Sequence, residues 1–220
     1  MKTIAIFTTT RAEFGIFSAL IREIEKSDDI RYVLFAGGSH LAIETGKTIK
    51  EITDLNYKIE ATFDYQLNLS DAPTLAKSLG YCTIELAHIF KNYSFDFVCV
   101  LGDRLELLSI VSNAIVFGKP IIHIHGGEST EGSIDEQIRH MITKASHIHF
   151  ASCKEYAENI IKMGEASSRV YNVGALAVDN MIRLPKVSKE ELFHNLKLDI
   201  NKPSRIPRYI ISSSIPGTVN

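Results

Sequence analysis

Acidic and basic side chains follow the strand that the sequence predicts most clearly. Residues 95–101 are apolar almost throughout, as in a parallel strand covered on both faces, and Gly102, Asp103 and Arg104 come next. Ligands of open α/β sheets bind beyond the carboxyl ends of the strands. Asp103 is therefore a candidate catalytic carboxylate, although an Asp here can also simply cap the following helix.

A second polar group follows the next predicted strand, over 121–125. His123 and His125 are two residues apart, so their side chains project from the same face of that strand. A Gly-Gly pair, which we expect to be flexible, and Glu128 come directly afterwards. An ordinary strand end does not explain why these groups converge.

The helix predicted over 135–145 adds further charges to this group. Asp135 and Arg139 are four residues apart and share one helical face, as do Glu136 and His140. An acidic first turn with a salt bridge would explain the helix alone. No pair of histidines has the helical i,i+4 spacing of a zinc site, so the sequence predicts no metal.

Two further segments offer contacts to an anion or a ligand. Arg11 stands at the start of a predicted helix, where the helix end and the guanidinium both favour a phosphate; a solvated arginine is the alternative. Gly37 and Ser39 belong to a Gly-Gly-Ser-His turn with exposed backbone N–H groups. The segment after the first strand lacks the G-x-G-x-x-G pattern, which argues against a nicotinamide cofactor.

Short β-branched runs alternate with amphipathic stretches, a pattern that predicts a parallel sheet flanked by helices. The predicted strands cover 4–7, 32–35, 57–63, 95–101, 121–125, 147–151 and 170–173, and the helices between them cover 12–26, 72–93, 105–117, 135–145 and 154–163. Residues 175–197 are predicted as helical with a break at Pro185, and 209–211 as one more strand. We expect a domain over 1–184, followed over 185–220 by a crossover into an incomplete second domain.

Composition excludes several classes of protein. The net charge of -2 provides no basic field for nucleic acid. The three cysteines are widely spaced, which argues against a disulfide framework. No apolar run approaches the roughly 20 residues that span a bilayer. The short apolar N-terminus does not read as a signal peptide, so we expect a cytoplasmic protein without membrane contact.

Several motifs together resemble one known family. They are the Gly-Asp-Arg turn at 102–104, the block over 123–150, the opening at 9–15 and the turn at 37–41. Over residues 3–182 the chain resembles the hydrolysing UDP-N-acetylglucosamine 2-epimerases, and within them the bacterial sialic and legionaminic acid branch. The resemblance implies one half of a GT-B architecture, in which two Rossmann-like domains enclose a UDP-sugar. It implies no cofactor, and relatives are commonly homodimers.

The family eliminates UDP across C1–C2 of the sugar and then adds water to the glycal, which yields the free 2-epimer. The resemblance carries the acid–base roles to Asp103, Glu128 and Asp135, with His125 at a position where relatives place a Glu. It implies that Arg11, Gly37, Ser39, Arg104 and Arg139 contact substrate, or that Arg139 orients Asp135.

In the family a second domain supplies most uridine and diphosphate contacts. The tail after residue 211 is unlike the segment expected there, so we expect weak or no turnover from these 220 residues alone. Two alternatives stay open: a silent remnant that binds a nucleotide-sugar or pairs with another subunit, and a GT-B glycosyltransferase, which would lack the carboxylate block.

Overall fold

The structure is a computed structural model, and it describes residues 1–43, 46–65, 71–130, 132–183 and 187–196. The strands are β1 (Lys2–Thr8), β2 (Ile30–Gly37), β3 (Ile59–Phe63), β4 (Phe97–Leu101), β5 (Ile121–Ile124), β6 (Ile148–Ala151) and β7 (Val170–Asn172). The helices are α1 (Arg11–Ile24), α2 (Ile49–Asp54), α3 (Ala72–Asn92), α4 (Leu107–Val116), α5 (Ile134–Ala145), α6 (Lys154–Lys162), α7 (Leu176–Arg183) and α8 (Lys189–Asn195). Within the described residues, no helix is both long and apolar enough to cross a membrane.

The seven strands form one parallel sheet in the order β3-β2-β1-β4-β5-β6-β7. The chain winds outward from β1 in one direction and from β4 in the other, so the turns after these two strands border a crevice. This arrangement confirms the predicted α/β class and its Rossmann-like sheet. It also brings the ends of β1, β4 and β5 to the same edge.

Alternation along β1 explains why both faces of the sheet are buried. Ala5 and Phe7 belong to one apolar layer, and Ile6 belongs to the other. Phe7 stacks on Phe35 of the neighbouring strand with ring centroids 5.0 Å apart. A strand covered on both sides reads as a continuous apolar run, which is the pattern that made these strands predictable.

The structure differs from the sequence prediction at a few points. β5 ends at Ile124, because His125 adopts a φ of 64° that no extended strand permits, so the inference from strand alternation does not hold for His125. The short helix α2 was not predicted, since six residues give too little helical periodicity. The strand predicted at 209–211 and the domain boundary predicted at 184–185 both lie outside the described residues.

Candidate active site

The turn after β4 places Asp103 above the edge of the sheet. Gly102 reverses the chain with a φ of 77°, a left-handed conformation that glycine adopts without strain. The Gly102 carbonyl accepts a hydrogen bond from His123 Nε2 at 2.8 Å. Because a carbonyl can only accept, Nε2 carries the proton, and Nδ1 accepts from the Thr143 hydroxyl at 3.2 Å.

His123 therefore holds the turn after β4 in place through its two hydrogen bonds, and its ring remains uncharged. Its side chain is fully buried, and burial lowers its pKa to about 3. A neutral histidine with both nitrogens in hydrogen bonds has no capacity left for proton transfer. It instead ties the turn after β4 to strand β5 and helix α5.

Arg139 connects the segments that carry the predicted acidic residues. It forms an ion pair with Asp103, and its Nη1 donates to the Glu128 carbonyl at 2.8 Å and to the Thr130 hydroxyl at 3.1 Å. Arg139 is only 5% exposed, so these bonds are shielded from water. The helix α5 begins after the N-cap Ser133, and one helical turn separates Asp135 from Arg139.

The carboxyl groups predicted from the sequence influence one another. Burial raises the pKa of Asp103 above its ordinary value, the positive charge of Arg139 opposes that rise, and the charges of Asp135 and Glu128 add to it. Like charges raise a carboxyl pKa only when they lie near each other. Asp103, Glu128 and Asp135 thus share one electrostatic environment at the strand tips.

His125 faces this group from the end of β5. Its Nδ1 lies 3.4 Å from Glu128 Oε1, and Ser152 donates to the same carboxylate oxygen at 2.8 Å. Burial lowers the pKa of His125, which favours the neutral ring. Its Nε2 is buried and has no hydrogen-bond partner among the described residues. A neutral ring with Nδ1 toward a carboxylate leaves Nε2 able to accept a proton.

The expectation of a flexible Gly-Gly pair is wrong. Gly126 and Gly127 are buried, and a Cβ at Gly127 would lie 2.2 Å from the Tyr156 carbonyl oxygen. A Cβ at Gly126 would lie 2.9 Å from Nδ1 of His123. Both glycines are needed because helix α6 and His123 approach the backbone closely.

Apart from Arg139, the residues predicted to contact substrate lie outside the group formed by Asp103, Glu128 and His125. Arg11 pairs with Glu51 of α2 at 2.7 Å and lines a cavity of about 450 Å³ between α1, α2 and α7. Gly37 is the last residue of β2, where a Cβ would lie 2.5 Å from the Phe63 carbonyl oxygen, so close packing already accounts for it. Ser39 lies in a single helical turn over Gly38–His40. These substrate contacts stay predictions.

Arg104 and three buried residues that the sequence analysis missed, Thr9, Glu13 and Glu106, form a separate group. Arg104 Nε donates to Glu106 at 2.7 Å, and the Thr9 hydroxyl oxygen lies 2.7 Å from a carboxylate oxygen of both Glu106 and Glu13. Thr10 and Glu13 also form a capping box at the start of α1. The Thr-x-x-Glu spacing could have indicated the helix start, but nothing local to the sequence indicates the contact with Glu106.

Fold and site together define a Rossmann-like α/β protein whose strand tips carry clustered carboxyl, guanidinium and imidazole groups. The chain belongs to the UDP-N-acetylglucosamine 2-epimerase family, whose profile matches residues 22–212. It is 34% identical to "Polysialic acid biosynthesis protein P7" of Escherichia coli over 100% of this chain and 55% of the relative. It is 35% identical to "GDP/UDP-N,N'-diacetylbacillosamine 2-epimerase (hydrolyzing)" of Campylobacter jejuni over 91% of this chain and 52% of the relative.

Solved structures share the fold at low sequence identity. A UDP-GlcNAc 2-epimerase from Neisseria meningitidis, bound to UDP-GlcNAc, superimposes with a TM-score of 0.70 at 19% identity, over 83% of this chain and 49% of that one. A putative UDP-N-acetylglucosamine 2-epimerase from Listeria monocytogenes gives 0.75 at 17% identity, over 90% and 52%. The chain spans about half the length of the curated relatives it matches.

Proposed function

We propose that this chain carries the proton-transfer side of the active site of a hydrolysing UDP-N-acetylglucosamine 2-epimerase. The reaction would convert UDP-N-acetylglucosamine and water to N-acetylmannosamine and UDP, or act equivalently on a diacetamido sugar. The observation that carries the proposal is the convergence of Asp103, Glu128 and His125 at two neighbouring strand ends. The names of the relatives support the same reaction.

In the first step a base removes the proton at C2, and the C1–O bond breaks with its electron pair passing to UDP. In the second step water adds to the resulting double bond, with hydroxyl at C1 and a proton at C2 on the opposite face. Both steps need groups that bind and release protons near neutral pH. Burial raises the pKa of Asp103, so this carboxyl holds a proton more readily than an exposed one, and the neutral ring of His125 can accept a proton at Nε2. In this proposal Asp103, Glu128 and Asp135 share the proton transfers, and His125 assists.

Arg139 is a positioning residue in this proposal. Its side chain is buried and already bonded to Asp103, Glu128 and Thr130, so it fixes the acid–base groups relative to one another. Arg11, Gly37, Ser39 and Arg104 remain the proposed contacts to the UDP-sugar. The segment over 185–220 is proposed as the crossover that leaves the domain over 1–184.

The proposal also expects slow turnover from the chain alone. Relatives are about twice as long, and half of a cleft positions the diphosphate poorly. Weak or no release of UDP is therefore the expected result, and any release should depend on Asp103.

The test combines binding with turnover. Calorimetry measures binding of UDP-N-acetylglucosamine and UDP-diacetylbacillosamine, and chromatography measures UDP release in D2O by wild type, by D103N and by the exposed control D54N. We expect release that D103N abolishes and D54N preserves, with deuterium at C2 of the sugar product. Release that D103N leaves unchanged would remove Asp103 from the mechanism.

A second candidate is a catalytically silent protein that binds a nucleotide-sugar or pairs with another subunit. The half-length match to the relatives favours it. Binding of either UDP-sugar without any release of UDP would support this candidate over the enzyme. Absence of both binding and release would contradict both candidates.

A further inference from the structure

Two buried glutamates meet in the crevice between β1 and β4, apart from the acid–base groups described above. Glu13 is 5% exposed and Glu106 is 3% exposed. Between them lies the Thr9 hydroxyl, 2.7 Å from Glu13 Oε2 and 2.7 Å from Glu106 Oε1. Both distances are those of short hydrogen bonds.

The hydrogen-bond count requires a proton on one of the glutamates. A hydroxyl has one proton, so the Thr9 hydroxyl can donate to only one carboxyl and must accept from the other. Glu106 Oε1 also accepts a short charge-assisted bond from Arg104 Nε at 2.7 Å. If the single Thr9 proton is directed to Glu106, the short contact between the Thr9 hydroxyl and Glu13 Oε2 requires a proton on Glu13.

Charge balance in this group gives the same assignment. The titratable groups whose charges act on Glu13 are Glu106 and Arg104 from the turn after β4 and Tyr65 from the segment after β3. Tyr65 is itself influenced by Cys82 of α3. Arg104 neutralises one carboxylate, and a second negative charge would be buried without compensation. Burial, and then the charge of Glu106, raise the pKa of Glu13 to about 7.

The capping role of Glu13 would by itself favour the ionised form. Its Oε2 accepts from the backbone N–H of Thr9 at 2.9 Å and of Thr10 at 3.1 Å, and a helix N-terminus favours negative charge. An exposed capping glutamate would be ionised for these reasons. Here burial and Glu106 oppose them, and Glu13 Oε1 is buried with no hydrogen-bond partner among the described residues.

We propose that Glu13 keeps its proton well above the pH at which an exposed glutamate ionises, and that it forms with Thr9, Glu106 and Arg104 a proton-sharing relay that positions the turn bearing Asp103. Glu13 and Glu106 are positioning residues, because they act on the site through Arg104. Loss of the Glu13 proton places two charges against Thr9 and loosens the turn. The consequence for substrate rests on the proposed function, whereas the protonation state of Glu13 does not.

The protonation state is tested by NMR on the 220-residue chain labelled with 13C at the glutamate carboxyl. E13Q identifies the Glu13 signal, and pH is varied from about 5 to about 9. We expect Glu13 to titrate near pH 7, the E106Q variant to lower that midpoint, and the exposed control E155Q to leave it in place. A Glu13 signal that titrates with the other glutamates would overturn the proposal. If E13Q fails to fold, T9V, which breaks the relay, provides the assignment through the signal it shifts.

The positioning role is tested through the turn itself. We expect the amide signals of Asp103 and Arg104 to shift with the Glu13 midpoint in wild type and to be insensitive to it in E13Q. We also measure the dissociation constant of UDP-N-acetylglucosamine at about pH 9 and at about pH 6. The ratio of these two constants should be about tenfold larger in wild type than in E13Q. Amide shifts and an affinity ratio that do not change with pH would limit Glu13 to helix capping. If the chain binds no UDP-sugar at any pH, the proposed function fails while the NMR titration still decides the relay.

Discussion

Asp103, in the turn after β4, and Arg139, in the second turn of α5, form an ion pair at the edge of the sheet where the strands end. Arg139 also holds the backbone of Glu128 and the Thr130 hydroxyl, so one buried guanidinium connects three segments of the chain. The pair therefore holds the turn after β4 against α5 and against the segment that carries Glu128 and Thr130.

Removing Arg139 should destabilise the protein strongly, because Asp103 would be left half-buried and unpaired. We expect R139M to lower the free energy of unfolding by about 3 kcal/mol. A double-mutant cycle with D103N, measured by urea unfolding, should give a coupling energy of about 2 kcal/mol. The exposed pair Lys154 and Glu158 is the control, with an expected coupling below about 0.5 kcal/mol. Equal couplings would show that the buried pair has no special role.

Glu13 predicts a pH dependence of stability. Its pKa is about 7 in the folded protein against an ordinary value of 4.5, so the folded state binds the proton more tightly. Between these values unfolding releases a proton, and stability falls as pH rises, by about 3 kcal/mol in total. Measured by urea unfolding, the free energy of unfolding of wild type minus that of E13Q should fall by about 3 kcal/mol from about pH 4 to about pH 8. Parallel curves for the two proteins would contradict it.

His123 predicts the opposite slope in acid. The folded pKa of about 3 lies below the ordinary 6.5, so unfolding takes up a proton as pH falls. Wild type should lose about 3 kcal/mol of stability from this residue between about pH 6.5 and about pH 4. H123Q should remove this acid-dependent loss, and the exposed control H88Q should retain it. The measurement is urea unfolding across that range, and an unchanged acid limb in H123Q would refute the prediction.

Close packing explains why residue 127 is a glycine. Two alanine variants distinguish the cost of this packing from the cost of the backbone conformation. Gly127 and Gly132 have nearly equal φ angles, 77° and 78°, but a Cβ at Gly132 meets nothing within 4 Å. G132A should cost about 1 kcal/mol of backbone strain alone. G127A should cost about 3 kcal/mol or more, because the new Cβ collides with the Tyr156 carbonyl. Thermal unfolding measures both, and similar losses would contradict the packing role.

The sequence was sufficient for the class of fold. Continuous apolar runs such as 95–101 indicate strands buried on both faces, and the helical spacing between them indicates covering helices, so the parallel sheet followed. The position of Asp103 was also predictable from the sequence, because it depends only on where the preceding strand ends. Helix α2 was missed because six residues carry too little periodicity.

The amino-acid sequence by itself therefore determined the sheet, the family and the acidic residues at the strand tips. Only the tertiary structure decided what surrounds each group. It showed His123 as a buried support, Gly126 and Gly127 as packing positions, and Glu13 beside Glu106, which is 93 residues away in the chain. Strand periodicity is a local property of the chain, whereas burial and the sharing of a proton arise from residues that only folding brings together.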